Sequence, residues 1–195
     1  MRTYDLELLK ISASKRKLLI SPYAFGSVFA DEEIQKIHEI ASQFPIENGR
    51  TDDDTEKSSR SCEVSWIPTA DFLWIENRIA DIVETSNSLW NFDIHGCAEK
   101  LQYTHYRNEG DHYSAHTDLG NEGLSGLRKI SVVVFLNDDF EGGDLEIFTS
   151  DLPITVKAVK GNAVVFPSYL LHGVKPVTKG SRKTLVTWYH GPHFR

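Results

Sequence analysis

The run Ile130-Ser-Val-Val-Val-Phe-Leu136 is apolar at all but one position and rich in β-branched residues, which marks it as a nearly continuous buried strand. Short segments of the same kind follow it: Asp144 to Phe148, Ile154 to Val159, Ala163 to Phe166, Gly173 to Val177 and Thr184 to Tyr189. Gly142-Gly143, Lys160-Gly161-Asn162 and Lys179-Gly180-Ser181 separate them as turns. Upstream, Glu99 to Tyr106 alternates as a half-buried strand does. Many short strands at near-even spacing predict a sandwich or closed barrel.

The residues before this β region predict a strand, a helix, a loop and a second helix. From Phe29-Ala-Asp31 onward, Ile34, Ile37, Ile40, Ala41 and Phe44 fall on one helical face. Asp31, Glu32 and Glu33 place negative charge at its start, and Pro45 stops it. Glu47 to Arg60 has no apolar period and reads as a surface loop, its Asp52 to Glu56 charge run solvated. The second helix is expected after Pro68-Thr69, with Thr69 as N-cap and Phe72, Ile75, Ile79, Ile82 and Val83 inward. These helices would cover one face of the β layer. The expectation is therefore a single domain over 1–195, mainly β, with helical support over roughly 1–90 and the strand core over roughly 91–195.

Composition narrows the function classes. A 195-residue chain, 40% hydrophobic and 25% charged, suits one globular domain. A net charge of -7 disfavours non-specific attraction to nucleic acid. No apolar stretch is long enough to cross a bilayer, and the first ten residues lack the apolar centre of a secretory signal. Cys62 and Cys97 stand outside any Cys-x-x-Cys pair, so both read as structural and the expected compartment is the cytoplasm.

The chemistry-bearing residues sit at the ends of the strands. His116-Thr-Asp118 precedes the buried run, and His172 and Arg182 follow it. Alone, His116-x-Asp118 reads as a surface turn. On an extended strand, however, alternate residues face the same side, so both could meet one metal. With His172 they make two imidazoles and a carboxylate, a set that holds one face of a non-haem ferrous ion. A three-residue loop Lys179-Gly180-Ser181 would set Arg182 opposite Thr178, on the face of His172. The planar fork of Arg182 suits a carboxylate. Metal plus anion clamp would hold both ends of a short diacid.

Several pieces occur in order here: Tyr106-Arg-Asn-Glu-Gly110-Asp-His-Tyr113-Ser-Ala-His116-Thr-Asp118, Phe135-Leu-Asn, Glu141-Gly-Gly-Asp-Leu, Gly161-Asn-Ala-Val-Val-Phe-Pro, His172, Arg182, Thr184 and Trp188. In this the chain resembles the iron(II)- and 2-oxoglutarate-dependent dioxygenases, and among them the prolyl 4-hydroxylase-like group. The resemblance runs from about residue 99 to 190. It implies a double-stranded β-helix, a distorted jelly roll, with Fe(II) on His116, Asp118 and His172. It implies 2-oxoglutarate paired with Arg182 and supported by Thr184 and Tyr106, and O2 as the other cosubstrate, with ascorbate as an accessory reductant. Tyr113 and Trp188 would line the substrate pocket, and the loops Glu47 to Arg60 and Leu119 to Leu127 would grip a peptide, protein or small-molecule substrate. His105, His112, His190 and His193 are expected at the surface or behind the site.

Four other readings remain. A free amino-acid hydroxylase would share every feature above. An alkylation-repair demethylase would carry a second arginine where Trp188 stands. A cupin-like Zn or Mn enzyme would leave Arg182-x-Thr184 without a task. A non-catalytic jelly-roll binding module would be expected to have lost a ligand, and none is lost.

Overall fold

The computed structural model describes residues 21–49 and 59–194. The first ten residues and the Asp52 to Glu56 charge run lie outside the described residues. Strand β1 (Tyr23–Phe25) and helix α1 (Asp31–Ala41) come first, then β2 (Glu47–Asn48), β3 (Glu63–Ile67) and helix α2 (Leu73–Trp90). The remaining elements are β4 (Gly96–Cys97), β5 (Leu101–Tyr106), β6 (Tyr113–His116), β7 (Arg128–Phe135), β8 (Glu141–Gly142) and β9 (Leu145–Phe148). They continue through β10 (Pro153–Val156), β11 (Ala163–Pro167), β12 (His172–Val174), β13 (Val177–Lys179) and β14 (Arg182–His190). Among the described residues no helix is long and apolar enough to cross a membrane.

The larger sheet runs β1-β11-β7-β14-β5-β3-β2, with β4 attached to β14, and the smaller runs β10-β9-β12-β6. All pairings are antiparallel. The sequence of β7 explains its place between β11 and β14. Ile130, Val132 and Val134 pack against Ile34, Ile37, Ile75 and Ile79 of the helices, while Val133 and Phe135 pack against Leu145, Ile147 and Val174 of the smaller sheet. A strand buried on both faces needs a nearly unbroken apolar run, and β7 has one. The expected helical cover and mainly β fold are both present.

Five details differ from the sequence reading. Thr69 does not cap α2: its hydroxyl donates to the Glu99 carbonyl at 2.9 Å, and Phe72 takes the N-cap position without a side-chain hydrogen bond. A threonine beside a strand end has a nearby carbonyl to satisfy, which competes with capping. Glu63–Ile67 is a strand, missed because Trp66 and Ser65 follow a polar stretch with no alternation to announce it. Gly173 to Val177 is not one strand, since β12 stops at Val174 and β13 begins at Val177. Finally, Lys179-Gly180-Ser181 does not fold β13 back onto β14. Strand β13 pairs with β8, and Arg182 lies opposite Tyr106 of β5, not opposite Thr178. Residues before position 90 also enter the sheet, through β1, β2 and β3.

Candidate active site

Cross-strand register brings the two histidines together. His172 of β12 is the direct partner of His116 of β6, and their rings lie 4.3 Å apart. Past the end of β6 the chain turns, and the backbone N–H groups of Asp118 and Leu119 both donate to the Ser168 carbonyl at 3.0 Å. That clamp aims the Asp118 carboxylate between the imidazoles, with Oδ1 3.6 Å from His116 Nε2 and Oδ2 3.4 Å from His172 Nε2. The candidate ligand atoms of the three residues all lie within 4.8 Å of one another.

Each of these side chains is held from behind. His116 Nδ1 donates to the Ser114 carbonyl and His172 Nδ1 to the Leu170 carbonyl, both at 2.9 Å. Those bonds assign the proton to Nδ1 and leave each Nε2 lone pair facing the centre, as a metal-binding imidazole requires. Ser131 Oγ donates to Asp118 Oδ2 at 2.6 Å and is itself 2.9 Å from Ser168 Oγ. The Tyr113 ring stacks on His116 at 3.6 Å.

Electrostatics select the same state. Burial would raise the Asp118 carboxyl, but the imidazoles of His172 and His116 and the Ser131 hydroxyl overcome it and hold the group far below the ordinary carboxylate range. For His172, burial pushes the imidazolium down against the pull of Asp118. The two tendencies oppose each other across one contact. Burial decides for the imidazole, because an enclosed ring has lost the water that would solvate its charge. A neutral His172 imidazole beside the Asp118 carboxylate is in the deprotonated state that a divalent metal needs of its ligands.

The triad opens on a cavity of about 370 Å³ between the sheets. Its wall is made by alternate residues of two adjacent strands, Gln102, Thr104 and Tyr106 of β5 and Arg182, Thr184, Val186 and Trp188 of β14. Register pairs Arg182 with Tyr106 and Thr184 with Thr104. Arg182 is only 1% exposed, its guanidinium 5.0 Å from the Tyr106 ring and 5.6 Å from the Phe135 ring. Its Nε and Nη2 are buried without a hydrogen-bond partner among the described residues. Burial pulls the guanidinium pKa down, and burial also raises the Tyr106 phenol, which stays protonated and able to donate. Gly143 borders this corner with φ of 61°, and a Cβ there would come 3.0 Å from Arg182 Cδ.

All eight residues singled out in the sequence (His116, Asp118, His172, Arg182, Thr184, Tyr106, Tyr113 and Trp188) line this one cavity. Arg60, Trp66, Gln102, Thr104 and Arg128 line it too and were not anticipated. Gln102 and Thr104 were legible, since they share the alternation of Tyr106. Arg60 was not. It reaches the cavity because Ser59 to Ser61 lies along the free edge of β6, Ser61 N donating to the His112 carbonyl and Ser114 N to the Ser59 carbonyl. The loop Leu119 to Leu127 contributes Ser125. Of the other histidines, His112 is half-exposed, and His190 is buried against Glu99.

Comparison with known proteins follows the same outline. The family described as the 2OG-Fe(II) oxygenase superfamily matches residues 101–190. A PKHD-type hydroxylase of Picosynechococcus sp. is 36% identical over 125 residues, which are 62% of this chain; the chain spans only about half of that relative, 54%. A prolyl hydroxylase of Trichoplax adhaerens, solved with a hypoxia-inducible factor peptide fragment, superposes with a TM-score of 0.71 at 18% identity, covering 97% of this chain and 94% of that one. A Pseudomonas putida prolyl-4-hydroxylase gives 0.70 at 18% identity, over 92% of this chain and 98% of its own. The fold, the ordered motifs and the His-x-Asp…His constellation agree with that likeness, and the match to the 2OG-Fe(II) oxygenase superfamily spans residues 101–190, the stretch that carries the site.

Proposed function

We propose that this protein is a 2-oxoglutarate-dependent hydroxylase of aliphatic C–H bonds, with a prolyl residue of a peptide or protein as its substrate. The observation that carries the reading is the buried Arg182 guanidinium, with two unpartnered nitrogens, in the same cavity as an ordered His-Asp-His set. An uncompensated buried charge is costly and calls for an anion. In this reading His116, Asp118 and His172 hold Fe(II), and Arg182 binds the distal carboxylate of 2-oxoglutarate with the hydroxyls of Thr184 and Tyr106. Iron with 2-oxoglutarate and O2 supplies the oxidant for hydroxylation, with release of succinate and CO2.

The chain's own part is to bind, orient and exclude water. Arg182, buried in the cavity wall, fixes one end of the diacid, which aims the other end at the triad. Tyr113 stacks on His116 and forms one wall of the cavity. Trp188 forms a second wall, and its indole N–H is buried without an acceptor among the described residues, free to donate to a substrate carbonyl. Flat aromatic walls suit a pyrrolidine ring. The prolyl hydroxylases that share the fold, one of them solved with a peptide fragment, support this substrate class.

Arg60 favours a second reading, a free amino acid. It is 8% exposed and lines the cavity, with its Nε on Cys62 Sγ at 2.9 Å and no ion pair among the described residues. A substrate bearing its own carboxylate would pair with it. Succinate formation with Fe(II), 2-oxoglutarate and ascorbate, measured with proline-containing peptides and with free amino acids, separates the two. Oxidation of peptides with a mass gain of one oxygen on proline is the expected result. Turnover of free amino acids alone would replace it with the second reading.

A further inference from the structure

We propose that Glu99 and His190, neither of which lines the cavity, are positioning residues that hold Arg128 as a fixed wall between the substrate side and the Asp118 turn. The proposal concerns the same cavity as the hydroxylase reading and rests on it for the metal site that the Mn(II) readout reports.

The three residues come from separate parts of the chain. Glu99 precedes β5, Arg128 opens β7 and His190 closes β14, and because β14 lies between β5 and β7 all three meet at one end of the sheet. His190 and Arg128 are cross-strand partners. Arg128 Nε and Nη2 donate to Glu99 Oε1 and Oε2 at 2.7 and 2.5 Å, the two-pronged fork that fixes a guanidinium plane. Ala98 N donates to His190 Nδ1 at 3.2 Å, so that nitrogen carries no proton. The proton is then on Nε2, which donates to Glu99 Oε1 at 2.8 Å. A neutral His190 therefore completes the clamp on Glu99. Both side chains of the Arg128–Glu99 pair are 15% exposed, so the pair is shielded from competing water.

Held this way, Arg128 has one edge and one face left. The edge, Nη1, donates to the backbone carbonyl of Asp118 at 3.3 Å. The face lies on the Trp188 ring at 3.7 Å. One side chain thus ties the carboxylate-bearing turn to the aromatic wall. With two of its prongs taken by Glu99, Arg128 does not compete with Arg182 for an anion in the cavity. Without Glu99 it would be a further loose guanidinium beside the substrate, and both the turn and the wall would lose their shared support.

The test is Glu99→Gln in the full chain, which keeps the shape and removes the charge. Two readouts are taken: Mn(II) affinity by calorimetry, and the indole N–H resonance of Trp188, assigned by its loss in Trp188→Phe. The expected result is a Mn(II) dissociation constant raised on the order of tenfold, as for other residues behind metal ligands, together with a displaced Trp188 resonance. Arg128→Lys, which keeps the charge and loses the stack, should displace the same resonance. A purely structural weld would lower the melting temperature and leave both readouts unmoved; that result would overturn the proposal. Should Glu99→Gln fail to fold, His190→Phe keeps a ring and removes the outer donor, and an unchanged resonance and Mn(II) affinity in the folded variant would overturn it equally. Neither readout requires turnover, so failure of the peptide assay bears on the substrate and not on this network.

Discussion

The two ends of the cavity are built on opposite plans. At the triad every side chain is held: the histidines by the Ser114 and Leu170 carbonyls, and Asp118 by Ser131 and the Ser168 backbone. At the clamp, Arg182 is buried with its Nε and Nη2 unpartnered. The first end is organised before anything binds, and the second is left with a charge that only a ligand neutralises. In the proposed reading, such pre-organisation holds the candidate metal ligands in place for the ion. In the proposed reading, the unpartnered guanidinium turns the cost of burial into selectivity for an anion.

The largest effect expected from breaking this contrast is at the triad. His116→Ala or Asp118→Ala should abolish turnover and lose calorimetric metal binding, with the circular dichroism spectrum unchanged because the strand ladders do not depend on either side chain. Retained metal affinity in both variants would refute the triad as the metal site. Arg182→Ala comes next. Removing one member of a buried ion pair costs about 3–5 kcal/mol, so 2-oxoglutarate affinity should fall by roughly two to nearly four orders of magnitude, while Mn(II) affinity stays close to normal. Arg182→Met sharpens the comparison from the other side, since the ligand-free protein should melt higher than the parent. A lower melting temperature would mean that the guanidinium is compensated after all.

Smaller effects follow. Ser131→Ala leaves all three candidate ligands in place and removes the Asp118 support, so metal affinity should fall about 10- to 100-fold in the same calorimetric titration. The smallest lies away from both ends. Burial, with help from Arg107 and Lys183, lowers His105 to about 4 from an ordinary 6.5. Between those values the unfolded chain binds a proton that the folded chain does not, so stability falls as the pH drops from about 6.5 to 4. Urea melts of His105→Gln across that window should show a shallower decline than the parent; parallel declines would refute the assignment. Glu99 acts lower. Burial opposes its ionisation, but Arg128 and His190 prevail and hold it at about 2 from 4.5, so its contribution is present above 4.5 and lost as the pH falls toward 2.

The sequence by itself carried the β character, the two helices and the eight cavity residues, because each rests on local rules: alternation, apolar period, and donor types that few other chemistries combine. The continuous run of β7 announced burial on both faces, although the strand ends at Phe135, one residue short of the run's last member, Leu136. What tertiary structure alone decided is which residues meet. Strand register is set by the whole sheet, so the expected hairpin at Lys179-Gly180-Ser181 gave way to a β13–β8 pair, and Arg182 found Tyr106 across β5. Arg60 entered the cavity through a backbone bridge to β6, and Glu99, Arg128 and His190 met across three strands that are far apart in the chain. Contacts of this kind depend on long-range pairing, whose physical driving force is burial shared between distant segments, and no local pattern encodes it.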